Sequence, residues 1–177
     1  MTDRVALQGF VQVYTGDGKG KTTAALGLAL RAAGAGLRVY FGQFIKQGAY
    51  SELAGLARFA DCITVAQFGL GRFAGREPAA EDREAAGQGL RELRRALVSG
   101  AFDLVIADEA NVAVHRGLID EADLLALIDT RPPRVELVLT GRGVPAAVLA
   151  RADLVTEMRC GRHYYDRGVG ARVGIEK

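Results

Sequence analysis

The chain of 177 residues contains no tryptophan, two cysteines, two histidines and four prolines, and its 23 Lys plus Arg nearly cancel 21 Asp plus Glu. Each scarcity excludes something. Cys62 and Cys160 stand far apart, so there is neither a disulfide framework nor zinc-ligand spacing, and they read as reduced thiols of a reducing compartment. The near balance of charge removes the electrostatic case for a dedicated nucleic-acid or membrane-surface binder, and the Arg91, Arg94, Arg95 cluster reads as a solvated helix face. No apolar run approaches the roughly 20 residues of a membrane span. Met1-Thr2-Asp3-Arg4 lacks the apolar core of a signal peptide, which predicts a cytoplasmic protein with no membrane partner. With 49% hydrophobic residues, the chain can bury a sizeable core without staples. No repeat, low-complexity tract or composition break marks a linker, so residues 1–177 are expected to form one domain.

Glycine is plentiful, at 23 residues, and its placement in Gly16-Asp17-Gly18-Lys19-Gly20-Lys21-Thr22-Thr23 carries the most information. A short strand candidate, Phe10 to Tyr14, precedes the run, and a helix candidate, Thr23 to Ala33, follows it. Strand, glycine-rich loop, Gly-Lys-Thr and helix in that order form a cradle for a nucleotide triphosphate: backbone N–H groups meet phosphate oxygens, Lys21 adds an ammonium, and Thr22 offers a hydroxyl to Mg²⁺. The usual pattern has glycine six residues before the lysine, where this chain has Thr15, so the loop is a shortened variant.

Further strand candidates are Leu37 to Phe44, Ile63 to Phe68, Leu104 to Asp108, Val135 to Thr140 and Leu154 to Met158. They alternate with helix candidates at Ser51 to Phe59, Pro78 to Ser99, Glu121 to Asp129 and Pro145 to Arg151. Continuous apolar strands alternating with helices predict an α/β fold, a three-layer sandwich of the phosphate-loop NTPase type with a mostly parallel central sheet. The strand Leu104-Val105-Ile106-Ala107 ends in Asp108-Glu109. In a phosphate-loop protein such a strand delivers acid to the metal held by Thr22, so Thr22, Asp108 and Glu109 are the candidate ligands for Mg²⁺ or Mn²⁺.

The loop, together with Gln43-Phe44-Ile45-Lys46, Gly71-Arg72-Phe73, Gly75-Arg76-Glu77-Pro78, Asp103 to Glu109 with Asn111, and Leu139-Thr140-Gly141-Arg142, resembles the corrinoid adenosyltransferases of the phosphate-loop type. The ending is the most specific part: Ala152 to Met158, Arg162-His163-Tyr164-Tyr165-Asp166-Arg167-Gly168 and Ala171-Arg172-Val173-Gly174-Ile175-Glu176. The shortened glycine spacing is a habit of that family. The chain departs from it in lacking the tryptophan some members carry, in Tyr164 where proline is usual, and in ending at Lys177 where an aromatic is common. These departures bear on contacts to the corrin ring.

The resemblance implies transfer of the 5′-deoxyadenosyl group of ATP to the reduced cobalt of a corrinoid, with release of tripolyphosphate. Gly16, Asp17, Gly18, Lys19, Gly20, Lys21, Thr22 and Thr23 would bind ATP. Lys21, Thr22, Glu109 and Arg142 would stabilise the leaving polyphosphate, a form of electrostatic catalysis that needs no proton transfer. It also implies a reductant or flavoprotein reductase and a homodimer. Phe68 and Phe73 are candidates for an apolar corrin platform or for ordinary core. His163 is expected to contact substrate polar groups or to be structural. The irregular segment from Arg162 to Lys177 is expected to act as a lid on the corrinoid side, remote from the ATP cradle. Two other classes stand beside this reading: another small phosphate-loop ATPase or kinase, and a nucleotide-dependent switch protein.

Overall fold

A computed structural model describes residues 8–71 and 77–176. Six strands form one sheet: β1 (Val11–Thr15), β2 (Val39–Phe44), β3 (Ile63–Phe68), β4 (Leu104–Asp108), β5 (Glu136–Thr140) and β6 (Leu154–Glu157). Their order across the sheet is β3-β2-β4-β5-β1-β6, and every pairing is parallel. The expected mostly parallel sandwich is therefore wholly parallel among the described residues.

Side chains alternate between the two faces, and each face has its own core. On one side, Leu104 and Ile106 of β4 meet Ala25, Ala29 and Ala32 of α1 (Lys21–Gly34). These three alanines let the helix lie close to the sheet. On the other side, Val105 and Ala107 belong to the cluster that contains Leu90, Leu93 and Leu97 of α3 (Ala80–Val98) and Leu124 and Leu127 of α5 (Glu121–Thr130). The remaining helices are α2 (Ser51–Leu56), α4 (Ala110–His115) and α6 (Ala146–Arg151). β2 and β4 are buried over their full length, whereas the edge strand β6 leaves Leu154 and Val155 nearly half exposed.

All six strands fall where expected, and three differences concern helices. The Ser51 to Phe59 helix closes as a 3-10 turn after Leu56. The long helix starts at Ala80, two residues beyond Pro78, because the Asp82 carboxylate accepts the Ala79 N–H at 2.9 Å and fixes the first turn there. α4 is an addition: it leaves β4 through Glu109, whose φ of 61° turns the chain directly from strand to helix without a side-chain capping hydrogen bond. Gly89, which costs helix propensity, faces the Phe68 ring so closely that a Cβ would lie 2.5 Å from it. That contact is the packing reason for a glycine inside α3.

Candidate functional site

β5 lies between β1 and β4, so the glycine loop and the acid pair emerge two strands apart at the carboxyl edge of the sheet. Thr140, at the end of β5, spans the gap. Its hydroxyl donates to Asp108 Oδ1 at 2.7 Å and accepts the Glu109 N–H at 2.9 Å. Thr22, the second residue of α1, donates to the same Asp108 Oδ1 at 2.9 Å. Three elements thereby converge on the Asp108 carboxylate of β4, since Gln43 of β2 also reaches Asp108 Oδ2 at 3.3 Å.

The loop is pinned from below. Gly18 N–H donates to Met158 C=O at 2.6 Å, and Met158 N–H donates to Thr15 C=O at 2.8 Å. A Cβ on Gly16 or Gly18 would lie 2.5 or 2.6 Å from the Met158 oxygen, so these glycines admit the backbone that follows β6 as well as leaving room above for phosphate. Gly20 has φ of 124° and opens α1 with its N–H groups facing the loop. Lys21 folds back onto the loop: its Nζ donates to the carbonyls of Gly16 and Gly18, each at 2.7 Å. Burial, and then the neighbouring Arg142, push its ammonium below the usual lysine range.

A cavity of about 440 Å³ opens above the loop. Its walls include Gly18 to Thr23, Lys46, Glu52, Glu109 and Arg142. Glu109 faces this space, and burial followed by the Asp108 charge pushes its carboxyl above the usual range. Asp108 is fully buried, and both of its oxygens are engaged by donors. The two acids therefore divide the work expected of both. Glu109 offers a free-facing carboxylate to the cavity, while Asp108 orients Thr22 and Lys46 from behind. A threonine hydroxyl and a carboxylate are hard oxygen donors beside a phosphate-binding loop, which fits Mg²⁺ arriving with a nucleotide.

Other predicted site residues separate. Asp17 sits at the exposed loop tip, 3.8 Å from the Arg142 guanidinium. Phe68 is a core residue: it is buried against Phe44, with ring centroids 5.9 Å apart, and beneath Gly89. Its ring is spent on packing and does not form a platform. Phe73 lies outside the described residues. His163 lines the cavity, with Nδ1 accepting the Tyr165 N–H at 3.0 Å.

The C-terminal segment corrects the expected separation of lid and cradle. Gly174, Ile175 and Glu176 line the same cavity as the loop, and Lys19 Nζ donates to Ile175 C=O at 3.2 Å. The segment is held in shape by Glu176, whose carboxylate accepts from Tyr164 and, at 2.8 to 3.2 Å, from three nitrogens of Arg172. Arg172 also stacks over the Tyr164 ring at 4.8 Å.

Glu52 carries no signal in the sequence, and Gln43, Lys46 and Thr140 appear there only within motifs and without a role. A usable signal exists for two of them. Gln43 and Thr140 are polar residues near or at the carboxyl ends of otherwise apolar parallel strands, the edge where such sheets bind ligands.

The sequence matches the family described as ATP:corrinoid adenosyltransferase BtuR/CobO/CobP over residues 7–176. It is 33% identical over 170 residues to the corrinoid adenosyltransferase of Pseudomonas aeruginosa, covering 96% of this chain and 84% of that one. It is 31% identical over 169 residues to the Escherichia coli K12 corrinoid adenosyltransferase, covering 96% and 86%. The corrinoid adenosyltransferase CobA of Salmonella typhimurium is also 31% identical over 169 residues, with the same coverage. Among the described residues, no helix is long and apolar enough to cross a membrane.

Proposed function

The chain belongs to the ATP:corrinoid adenosyltransferase family, and from that premise we propose that it transfers the 5′-deoxyadenosyl group of ATP to the reduced cobalt of a corrinoid in cobalamin biosynthesis or salvage. The observation that carries the reading is the reach of the family match, which runs from before the loop to the C-terminal segment that walls the same cavity. A different ATPase or kinase, or a switch, would need only the loop.

A low-valent corrinoid is a nucleophile with no proton to surrender. The new cobalt–carbon bond forms at C5′ as the C5′–O bond breaks, and the electron pair leaves on the triphosphate. The burden on the protein is charge at the leaving group and aim at C5′. Gly18 to Thr23 supply backbone N–H groups, Lys21 and Arg142 supply positive charge, and Gly16, Asp17 and Lys19 shape the loop. Lys21 would leave its two carbonyl partners for phosphate, whose negative charge offsets the burial of the ammonium. Thr22 and Glu109 would hold Mg²⁺ or Mn²⁺, with Asp108 behind them, and the ion would supply Lewis-acid neutralisation of the polyphosphate. His163 and the C-terminal wall would flank the adenosine side. A reductant or flavoprotein reductase would supply electrons, and the working unit would be a homodimer in the cytoplasm.

The test is the product pair. Chemically reduced corrinoid with Mg-ATP is expected to yield a light-sensitive adenosylated corrinoid and tripolyphosphate in equal amounts. ADP or orthophosphate with the corrinoid unchanged would return the chain to the ATPase or kinase class.

A further inference from the structure

The turn after β2 holds its backbone in an unfavourable shape for the sake of one side chain. Ile45 has φ of 67°, and the Lys46 N–H donates to Phe44 C=O at 2.6 Å across it. A three-residue turn with positive φ is the rare form, and a β-branched residue in that region is an outlier. The surroundings impose it. Gly69 presses on the turn so closely that a Cβ there would lie 2.1 Å from the Ile45 carbonyl carbon, and Gln67 Oε1 accepts the Gly48 N–H at 3.2 Å on the far side. Backbone strain that is over-determined in this way clusters at functional sites.

The turn delivers Lys46 Nζ to a point 3.0 Å from Asp108 Oδ2, 3.4 Å from Glu52 Oε1 and 3.5 Å from Thr22 Oγ1, with the Tyr50 ring centroid at 5.6 Å. The same ammonium lines the cavity. Burial opposes its charge, but Asp108, Glu52 and Glu109 together outweigh burial and keep it protonated. A compact cation thus sits between the Thr22 hydroxyl and the Asp108 carboxylate, beside the metal position argued above.

We propose that Lys46 is a resident cation of the nucleotide site: it neutralises Asp108 while the site is empty, and its ammonium transfers to the triphosphate when the metal–nucleotide complex arrives. The four-carbon stem allows that movement, and a single strongly hydrated charge suits both partners. Lys46 then joins Lys21 and Arg142 around the leaving group. In the nucleotide-free protein it also competes with free divalent cation, so metal enters as the nucleotide complex and not ahead of it. This inference rests on the function proposed above only for its kinetic half.

The experiment pairs metal binding with turnover in the full-length protein. Free Mn²⁺ is followed by electron paramagnetic resonance without nucleotide in the wild type and in the Lys46→Met, Lys46→Arg and Lys46→Met/Asp108→Asn variants. Lys46→Met is expected to bind Mn²⁺ at least tenfold more tightly than wild type. Lys46→Arg, which keeps the charge, should stay near wild type, and adding Asp108→Asn should abolish the gain. At saturating Mg-ATP, adenosylation by Lys46→Met should fall about a hundredfold, with KM for ATP moving far less. Unchanged Mn²⁺ affinity in folded Lys46→Met overturns the resident-cation role, and turnover within a few fold of wild type overturns the role at the leaving group. Should the Met variant not fold, Lys46→Gln keeps a donor to Asp108 without the charge and is judged by the same two outcomes. If the wild type forms no adenosylated corrinoid, the functional reading has failed, and the Mn²⁺ comparison still decides the part Lys46 plays.

Discussion

Thr22 Oγ1 and Asp108 Oδ1 are hydrogen-bonded at 2.9 Å across 86 residues of chain, a contact that β5 mediates by placing Thr140 on the same oxygen. The loop and the acid strand are thus one rigid unit before any ligand binds. Asp108→Ala would strand Thr22, Thr140 and the Lys46 ammonium. Breaking a buried pair by removing one partner costs about 3–5 kcal/mol, and the lower end applies because Lys46 reaches the cavity. Urea unfolding should show a loss of about 3 kcal/mol for Asp108→Ala and clearly less for Asp108→Asn, which keeps the shape and the hydrogen-bonding oxygen. Equal losses would show that the carboxylate contributes through its charge alone, which both substitutions remove, and not through the hydrogen bonds to Thr22 and Thr140.

On the proposed function, Lys21→Ala removes an ammonium that would meet the leaving polyphosphate. Loss of such a preorganised contact costs roughly 3 kcal/mol, or about a hundredfold in rate. Lys21 also bridges the carbonyls of Gly16 and Gly18, so ATP affinity should fall as well. Single-turnover adenosylation at saturating ATP separates the two effects, and a near-normal rate there would remove Lys21 from the chemistry.

Two glycines of α3 should respond to alanine with opposite sign. At Gly87 the nearest atom to a new Cβ is the Arg91 guanidinium at 3.5 Å, a flexible end, so helix propensity should add up to about 1 kcal/mol. At Gly89 the new Cβ would meet three Phe68 carbons at 2.5–2.7 Å. Overpacking costs about 1–3 kcal/mol, which exceeds the propensity gain. Thermal midpoints that shift in the same direction for both variants would contradict the packing of Phe68 under α3.

Truncation after Gly161 tests the C-terminal wall. It removes the Lys19 contact to Ile175 and the cavity surface of Gly174 to Glu176. With that wall removed, ATP binding should weaken, with turnover falling further. Unchanged ATP affinity in a folded truncation would restore the lid remote from the cradle.

The clasp in that wall has its own pH signature. Hydrogen bonds from Arg172 and then Tyr164 push the Glu176 carboxyl down to about 2 from an ordinary 4.5. A depressed folded value means that the clasp stabilises above the ordinary value and is lost as pH falls through the folded one. It should therefore hold at pH 4 and open towards pH 2. A carboxyl ¹³C titration of Glu176 with a midpoint near 4.5 would show that the clasp is not formed in solution.

The strands and the phosphate loop were legible because their signals are local: apolar runs of strand length, a glycine cluster, and a Gly-Lys-Thr leading into an alanine-rich helix. α4 was not legible, because it begins without a side-chain cap, on a left-handed Glu109 whose N–H is satisfied by Thr140 from another strand. The fate of Phe68 was open in the sequence, since an aromatic beside glycines suits a core and a ligand platform equally. The closeness of Gly89, 21 positions onward, decided for the core.

By itself the sequence determined the six parallel strands, the glycine-rich loop between β1 and α1, and the family to which the chain belongs. The division of labour between Asp108 and Glu109 was decided by the tertiary structure. Asp108 ends β4 and is covered by Thr140 of β5, whereas Glu109, with φ of 61°, has already left the strand and lines the cavity. Likewise the seat of Lys46 and the placement of the C-terminal segment over the loop depend on contacts between residues far apart in the chain. No local pattern encodes these, because they arise only when the strand order β4-β5-β1-β6 sets their neighbours.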